Sequence, residues 1–392
     1  MIAWHTAALG DVIEFVYGKS LPKSVRESGG SIPVYGSNGI TGWHNEALVP
    51  GPALVVGRKG SAGAVHYVEG ACFPIDTTYY VKPREGFEFD MLFLYYLLRH
   101  LDLSRLRTAT GVPGLTREDA YREQISFPPM SEQRRIVDLL SRAEGIVRLR
   151  REAHAKAQAI IPALFIDIFG DPSTNPKGWM ESPLRALVEE FRYGTSNKSG
   201  ESGLPALRIP NVVGDRLNPA EIKLVEVSEA EAARLRLLAG DLLFVRTNGN
   251  PDYVGRSAVF EPEVMAAAGF DGTDCVYASY LIRARLRTGS INPVFLQSFL
   301  SSHEGRKRLR EQARTSAGQY NINTEGLGSI RVPTPMLDVQ TSFEVLCRSS
   351  LGIVALQAAA LSKAEATFQV LLTRAFSRDL ATTALTEESA VA

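Results

Sequence analysis

One segment of this chain is written twice. Residues 133–170 align on residues 340–377 without a gap, setting Leu139 on Leu346, Ile146 on Ile353, Val147 on Val354 and Leu149 on Leu356. Further along, Ala153 meets Ala360, Lys156 meets Lys363, Leu164 meets Leu371 and Phe169 meets Phe376. An apolar run ending in prolines precedes each copy: Ile125-Ser126-Phe127-Pro128-Pro129 before Gln133, and Ile330-Arg331-Val332-Pro333-Thr334-Pro335 before Gln340. Prolines stop a strand and permit a fresh helix start. Ser131, with Gln133 close behind, is the expected cap of the first helix. Weaker echoes keep the same order. Phe15-Val16-Tyr17-Gly18 returns as Phe191-Arg192-Tyr193-Gly194, the run Gly51 to Val56 with Gly60 returns as Gly240 to Val245 with Gly249, and Phe93-Leu94 with Leu97-Leu98 returns as Phe295-Leu296 with Phe299-Leu300. The chain therefore reads as unit, helix, unit, helix, with a pseudo-two-fold internal repeat.

Within the repeated segment, apolar residues recur at Leu139, Ala143, Ile146, Leu149, Ala153, Ala157, Ile160 and Leu164. That three-four spacing predicts an amphipathic helix. Continuous over residues 133–170, it would be roughly 57 Å long at ~1.5 Å per residue. Its outer face carries Arg148, Arg150, Arg151 and Glu152, whereas the second copy is flatter, with Ala358-Ala359-Ala360. Pro162 should kink the first copy near its end; its counterpart Gln369 should not. The two helices could be separate core helices, one per unit, but core helices average only ~11–12 residues. The favoured reading is that they pack antiparallel as a coiled-coil spacer. A pseudo-two-fold axis would then set the two globular units at opposite ends facing the same way, the geometry in which two-fold readers of duplex DNA address two half-sites.

The globular units read as mixed α and β, so the fold class is α+β. Apolar runs at 53–56, 79–81 and 242–245 are short and bounded by Gly and Pro, as in small sheets, and residues 90–103 and 293–310 have helical spacing. The longest apolar runs fall short of the ~18 residues of a membrane span, and residues 1–10 lack the pattern of a signal peptide. Three scattered cysteines, Cys72, Cys275 and Cys347, fit a reducing cytoplasm. Forty-three basic residues balance 43 acidic ones. A net charge of zero opposes a uniformly basic nucleic-acid binder, although local clusters or a partner can supply the positive surface.

The run Phe169-Gly170-Asp171-Pro172-Ser173-Thr174-Asn175-Pro176-Lys177-Gly178-Trp179 resembles the segment after the central helix of type I restriction–modification specificity subunits. The duplicated strand–proline–glutamine–helix junctions resemble that family too, and the likeness extends from about Leu9 to Leu380. It implies two tandem target-recognition domains, at 1–130 and 171–335, with spacer helices at 131–170 and 336–380 and a disordered tail at 381–392. It also implies that double-stranded DNA is read as an asymmetric bipartite site, and that the partners are two adenine methyltransferase subunits and two ATP-driven translocase/nuclease subunits. S-adenosylmethionine, ATP and Mg would sit on those partners, with no cofactor or metal in this chain and no membrane involved.

Signs of catalysis are incomplete. Asn250-Pro251-Asp252-Tyr253 resembles the Asn-Pro-Pro-Tyr of amino-methyltransferases, but Asp replaces a proline and no glycine-rich cofactor loop lies upstream. The glycines of Gly57-Arg58-Lys59-Gly60-Ser61-Ala62-Gly63 lack the βαβ context of a dinucleotide loop and read as a tight turn or a backbone approach to a phosphate. Asp215 with Glu221-Ile222-Lys223 loosely mimics a nuclease, yet Asn218-Pro219 makes a turn the simpler origin. His44-Asn45-Glu46 has no downstream cysteine pair for zinc. A standalone DNA-modifying enzyme, or a partner-binding scaffold without DNA selectivity, are the alternatives.

Base edges are read by Arg, Lys, Asn, Gln, Ser and Thr on loops. The first unit offers Ser37 and Asn38, then Arg58, Lys59 and Ser61, then Arg107 and Thr110; the second offers Arg246, Thr247, Asn248 and Asn250, then Gln319, Tyr320, Asn321 and Asn323. Arg306, Lys307 and Arg314 precede the last of these loops, as Arg99, Arg105 and Arg107 do in the first half, and are candidates for phosphate contact.

Overall fold

Ala53–Gly57 is a run of apolar and small residues buried along its whole length, and it forms one of the two inner strands of a four-stranded sheet. The computed structural model describes residues 4–26, 29–108, 113–316 and 318–377, so the expected tail at 381–392 lies outside the described residues. The chain divides into two compact units: one runs to Ala153 and resumes at Ala358, and the other is His154–Gln357.

In the first unit the main sheet has the order Ile13–Tyr17, Thr78–Pro83, Ala53–Gly57, Val65–Val68, antiparallel throughout. A smaller sheet places Ile32–Gly36 between Gly39–His44, antiparallel, and Phe73–Pro74, parallel. The helix Met91–Leu101 begins where Asp90 accepts from the amides of Leu92 and Phe93, and it buries Phe93, Leu94, Tyr96, Leu97 and Leu98. The same core holds Ile136, Leu140 and Val147 of one long helix and Phe368, Leu372 and Phe376 of the other.

In the second unit the main sheet has the order Val188–Tyr193, Leu281–Leu286, Leu242–Val245, Ser257–Val259, again antiparallel. Here too a strand of the smaller sheet, Leu204–Leu207, lies between an antiparallel neighbour, Lys223–Val225, and a parallel one, Val276–Tyr277. The expected helix over 293–310 is two helices, Pro293–Ser301 and His303–Gln312. Ser302 separates them because its extended backbone ends the first while its hydroxyl accepts the Gly305 amide and caps the second. Two cores form here, one on each side of Leu242–Val245: Leu242 and Phe244 face Phe295 and Phe299, whereas Leu243 and Val245 face Val276 and Phe260.

The long helices span Met130–Gln158, followed by Ile160–Phe169, and Leu337–Phe376. The break at Ala159 lies just ahead of Pro162, which has no amide hydrogen for the preceding turn. Ser131 is not the cap: the helix starts one residue earlier, and the amides of Glu132 and Gln133 bond the Pro129 carbonyl. Gln133 does different work. It is buried, its Oε1 accepts the Asp90 amide at 3.0 Å, and its Nε2 donates to the Pro128 carbonyl at 3.0 Å. Gln340 does the same with the Asn292 amide at 2.8 Å and the Pro335 carbonyl at 2.6 Å.

Two expectations about these helices need correction. Leu139, Ile146 and Leu149, read as a packing face, are 38%, 54% and 58% exposed. The core-facing line is Ile136, Leu140 and Val147 instead, because the helix carries two apolar stripes and spacing alone does not rank them. Leu337–Phe376 is also long and apolar enough, by length and composition, to cross a membrane, with a hydropathy of 1.5 in its most apolar window. Alanines and small residues spread between few charges raise that average, where the search for unbroken apolar runs saw nothing.

Candidate nucleic-acid interface

The first unit gathers three of its candidate loops at one edge of the main sheet. The strand Ala53–Gly57 runs into the 58–63 loop, whose Arg58 and Lys59 amides bond the Thr77 carbonyl and whose Gly60 amide bonds that of Pro113. The Leu115 amide returns to the Arg58 carbonyl, and Tyr79 Oη donates to the Leu115 carbonyl at 3.1 Å. Burial pushes the Tyr79 hydroxyl up to about 12, so it stays a donor. From the smaller sheet comes the turn at Ser37 and Asn38.

Several candidates prove to be committed to the framework. Ser37 is buried and its hydroxyl donates to the Thr77 carbonyl at 2.6 Å, so it holds the turn instead of facing solvent. Arg58 donates through Nε and Nη2 to the Asp76 carbonyl and lies 5.2 Å over the Tyr17 ring. Asn38 and Lys59 are exposed, and Ser61 Oγ reaches Asn38 Oδ1 at 3.5 Å. Arg107 is exposed with its Nε on the Ser104 carbonyl at 2.7 Å. Thr110 lies outside the described residues. Arg99 turns inward to Glu144 at 2.5 Å, and Arg105 is paired with Glu123.

The second unit builds its edge from a three-stranded sheet, Thr247–Asn248, Gln319–Asn321 and Arg314–Ser316. Thr247 Oγ1 donates to Gln319 Oε1 at 2.9 Å, and Tyr320 pairs with both Asn248 and Thr315. This brings Thr247, Asn248, Arg314, Gln319, Tyr320 and Asn321 together on one ribbon. Asn250 turns its side chain to the Asp252 amide at 2.9 Å, shaping its own loop. Asn323 caps the helix Thr324–Ser329 by accepting the Gly326 amide at 2.7 Å. Arg306, a candidate for phosphate contact, reaches the carbonyls of Asp252 and Val254 at 3.0 and 2.9 Å, and burial holds its pKa below the ordinary arginine value. Lys307 stays exposed, 3.9 Å from Glu304.

Sequence reasoning missed the tyrosines. Tyr17 is 47% exposed beneath Arg58, and Arg117 approaches the same ring at 4.6 Å. Tyr193, 39% exposed, lies 4.8 Å under Arg246. Both sit in the Phe-x-Tyr-Gly echo, which was available as a signal. The glycine after each tyrosine is obligatory, since a Cβ on Gly18 would meet the Ile75 carbonyl oxygen at 2.2 Å and one on Gly194 that of Tyr277 at 2.2 Å. Among the described residues no three His, Cys, Asp or Glu side chains gather as a metal site.

Comparison with known proteins agrees with this picture. Residues 1–157 match the family model described as type I restriction modification DNA specificity domain. The chain is 27% identical over 230 residues to the type I restriction enzyme EcoKI specificity subunit of Escherichia coli (strain K12), covering 55% of this chain and 48% of that one. It is 27% identical over 165 residues to the StySPI specificity subunit of Salmonella potsdam, covering 42% and 34% respectively. These matches thus span about half or less of the relatives' length. In fold, it is similar to the type I restriction–modification S subunit from M. genitalium, with a TM-score of 0.59 at 15% identity over 96% of both chains. A structure described under complex assembly and conformational transition of the type I R-M system aligns with a TM-score of 0.56 at 16% identity, covering 97% of this chain and 99% of that one. Residues 1–157 thus match a type I restriction modification DNA specificity domain, and the chain as a whole shares its fold with type I restriction–modification S subunits.

Proposed function

We propose that this chain is a non-catalytic, sequence-specific DNA-binding subunit whose two recognition domains each read one half of an asymmetric bipartite site. The observation that carries this reading is a pair of unlike polar loop sets on like frameworks. Asn38, Lys59 and Ser61 stand at the sheet edge of one unit; Thr247, Asn248, Gln319 and Asn321 stand on a ribbon at that of the other. Hydrogen-bonding side chains on a rigid edge suit direct readout, and unlike sets imply unlike half-sites. The long helices act as an antiparallel spacer that fixes the gap between the halves. Packing of Phe165 and Phe169 on Phe343 in one unit, and the Arg151–Glu365 pair at 2.7 Å in the other, supports that arrangement.

The exposed stripes have a role in the same reading. Leu139, Ile146 and Leu149 in the first unit are repeated by Leu346, Ile353 and Leu356 in the second, which are 42%, 47% and 72% exposed. Large apolar side chains at heptad-like spacing on a water-facing helix mark a seam for another helix. One stripe per unit matches two copies of one partner, the adenine methyltransferase subunit. S-adenosylmethionine would be bound by that partner, ATP and Mg by a pair of translocase/nuclease subunits, and the assembly would act in the cytoplasm.

The test is to co-express the chain with its methyltransferase subunit and map methylated adenines genome-wide. A single bipartite motif is expected, with one half altered by Asn38→Ala and Ser61→Ala and the other by Thr247→Ala and Asn248→Ala. Methylation with no sequence preference would leave only a docking scaffold, and methylation by the chain alone would make it an enzyme.

A further inference from the structure

Arg58 and Arg246 occupy the same backbone position in the two units. The Arg58 amide donates to the Thr77 carbonyl and its own carbonyl accepts from Leu115; the Arg246 amide donates to Tyr280 and its carbonyl accepts from Ile322. The residue before each closes the same small loop: Gly57 bonds the Ala64 carbonyl and accepts from Gly63, and Val245 bonds that of Arg256 and accepts from Gly255. Each guanidinium donates to a carbonyl of the segment entering the next strand, Asp76 for Arg58 and Ser279 for Arg246. Each lies on the tyrosine of the first sheet strand, at 5.2 Å over Tyr17 and 4.8 Å over Tyr193.

The loop that follows this fixture differs in length and in sequence. Lys59-Gly60-Ser61-Ala62 follows in one unit, and the longer Thr247-Asn248-Gly249-Asn250-Pro251-Asp252-Tyr253-Val254 in the other. A residue that reads a base has to change when the base changes, whereas one that grips the backbone does not. Arg58 has also committed its Nε/Nη2 edge to Asp76, the edge a bidentate contact with guanine could use, which leaves a fixed charge. We infer that Arg58 on Tyr17 and Arg246 on Tyr193 are sequence-independent phosphate anchors, one per recognition unit, from which the dissimilar loops are aimed. This rests on the DNA-reading role proposed above and assigns its division of labour. Arg117, 4.6 Å over the Tyr17 ring, adds a second guanidinium to the first anchor alone.

The test uses the full chain assembled with its methyltransferase subunits, fluorescent random-sequence duplexes of fixed length, and the methylated-adenine map. Arg58→Gln and Arg246→Gln remove charge while keeping a donor for the carbonyl. Each should lower the slope of log K against log salt by about 0.9, weaken binding to all duplexes by one common factor, and leave both half-motifs intact. Arg58→Lys and Arg246→Lys should restore the slope. An altered half-motif in either Gln variant would make that arginine a reader and overturn the inference. So would an unchanged slope, or equal losses in the Gln and Lys variants, which marks a merely structural role. If the wild-type complex yields no motif, the DNA-reading role fails by itself, separately from any result on the arginines.

Discussion

Replacing Gln340 by leucine tests what fastens the helix Leu337–Phe376 to the second unit. Gln340 is 1% exposed, and its amide satisfies two backbone groups at once, the Asn292 N–H at 2.8 Å and the Pro335 carbonyl at 2.6 Å. Leucine has similar bulk and no polar atom, so both groups lose their partner. A buried backbone group left without one costs about 1–3 kcal/mol, which puts the variant at roughly 2–6 kcal/mol of destabilisation. A domain has only about 5–15 kcal/mol to lose. With a denaturant dependence of ~3 kcal/mol per molar urea, the unfolding midpoint should fall by roughly 0.7–2 M.

Hydrogen exchange locates that loss. Asn292 caps the helix Pro293–Ser301 by accepting from the Val294 and Phe295 amides, so the amides of Asn292, Val294 and Phe295 should lose protection first. The neighbouring Thr341→Ala removes an exposed hydroxyl bonded to the Leu337 carbonyl and should stay within about 0.5 kcal/mol of wild type. An unmoved midpoint with intact Asn292 protection, or an equal loss in Thr341→Ala, would refute the reasoning. Gln133→Leu should repeat the effect at Asp90 and Leu92.

Other perturbations separate framework from interface. Arg283 is 1% exposed and holds the Arg234 and Arg236 carbonyls together with Glu190, so Arg283→Met should cost about 3–5 kcal/mol in urea unfolding, with Arg283→Met/Glu190→Gln less damaging than the single change. Burial raises the pKa of Asp215 despite the Arg256 guanidinium at 3.2 Å. A carboxyl raised on folding lends stability below its unfolded pKa of about 3.9 and loses it as pH rises through the folded value. Asp215→Asn should therefore raise the melting temperature at pH 7 and lose that gain near pH 4; the left-handed backbone there, at φ 60°, tolerates asparagine. Leu149→Lys and Leu356→Lys should each weaken binding of the proposed methyltransferase partner by up to about 1.5–3 kcal/mol in titration calorimetry while leaving the melting temperature of the free chain unmoved.

The junctions were legible because their physics is local. A proline-terminated strand leaves few outcomes but a fresh helix, although the local pattern points to Ser131 as the cap and does not show the bonds that both glutamines make to Asp90 and Asn292. Pro162 was legible for the same reason. The outward stripe was not, because Leu139 and Leu140 are adjacent leucines on one helix and only the tertiary fold decides which is covered. Among candidate readers, sequence supplied residue type and loop position but not what each side chain was already bonded to. Ser37 and Asn323 have the chemistry of readers, yet their hydrogen bonds are spent on Thr77 and Gly326 across turns whose shape no local pattern announced.

That distinction explains how one framework can carry two unlike sets of loops. Arginine stacked on tyrosine and pinned to a carbonyl, with an obligatory glycine after the tyrosine, recurs in both units while the loops that follow differ. The loops themselves carry little of the fold. Asn38, Lys59 and Gln319 are exposed at turns or on a short ribbon, where substitutions ordinarily shift stability by less than about 0.5 kcal/mol. Such positions are free to vary in length and chemistry at almost no cost to folding, as the longer loop after Arg246 already does relative to that after Arg58. Divergence of these loops thus needs no change in the core, the junction glutamines or the long helices.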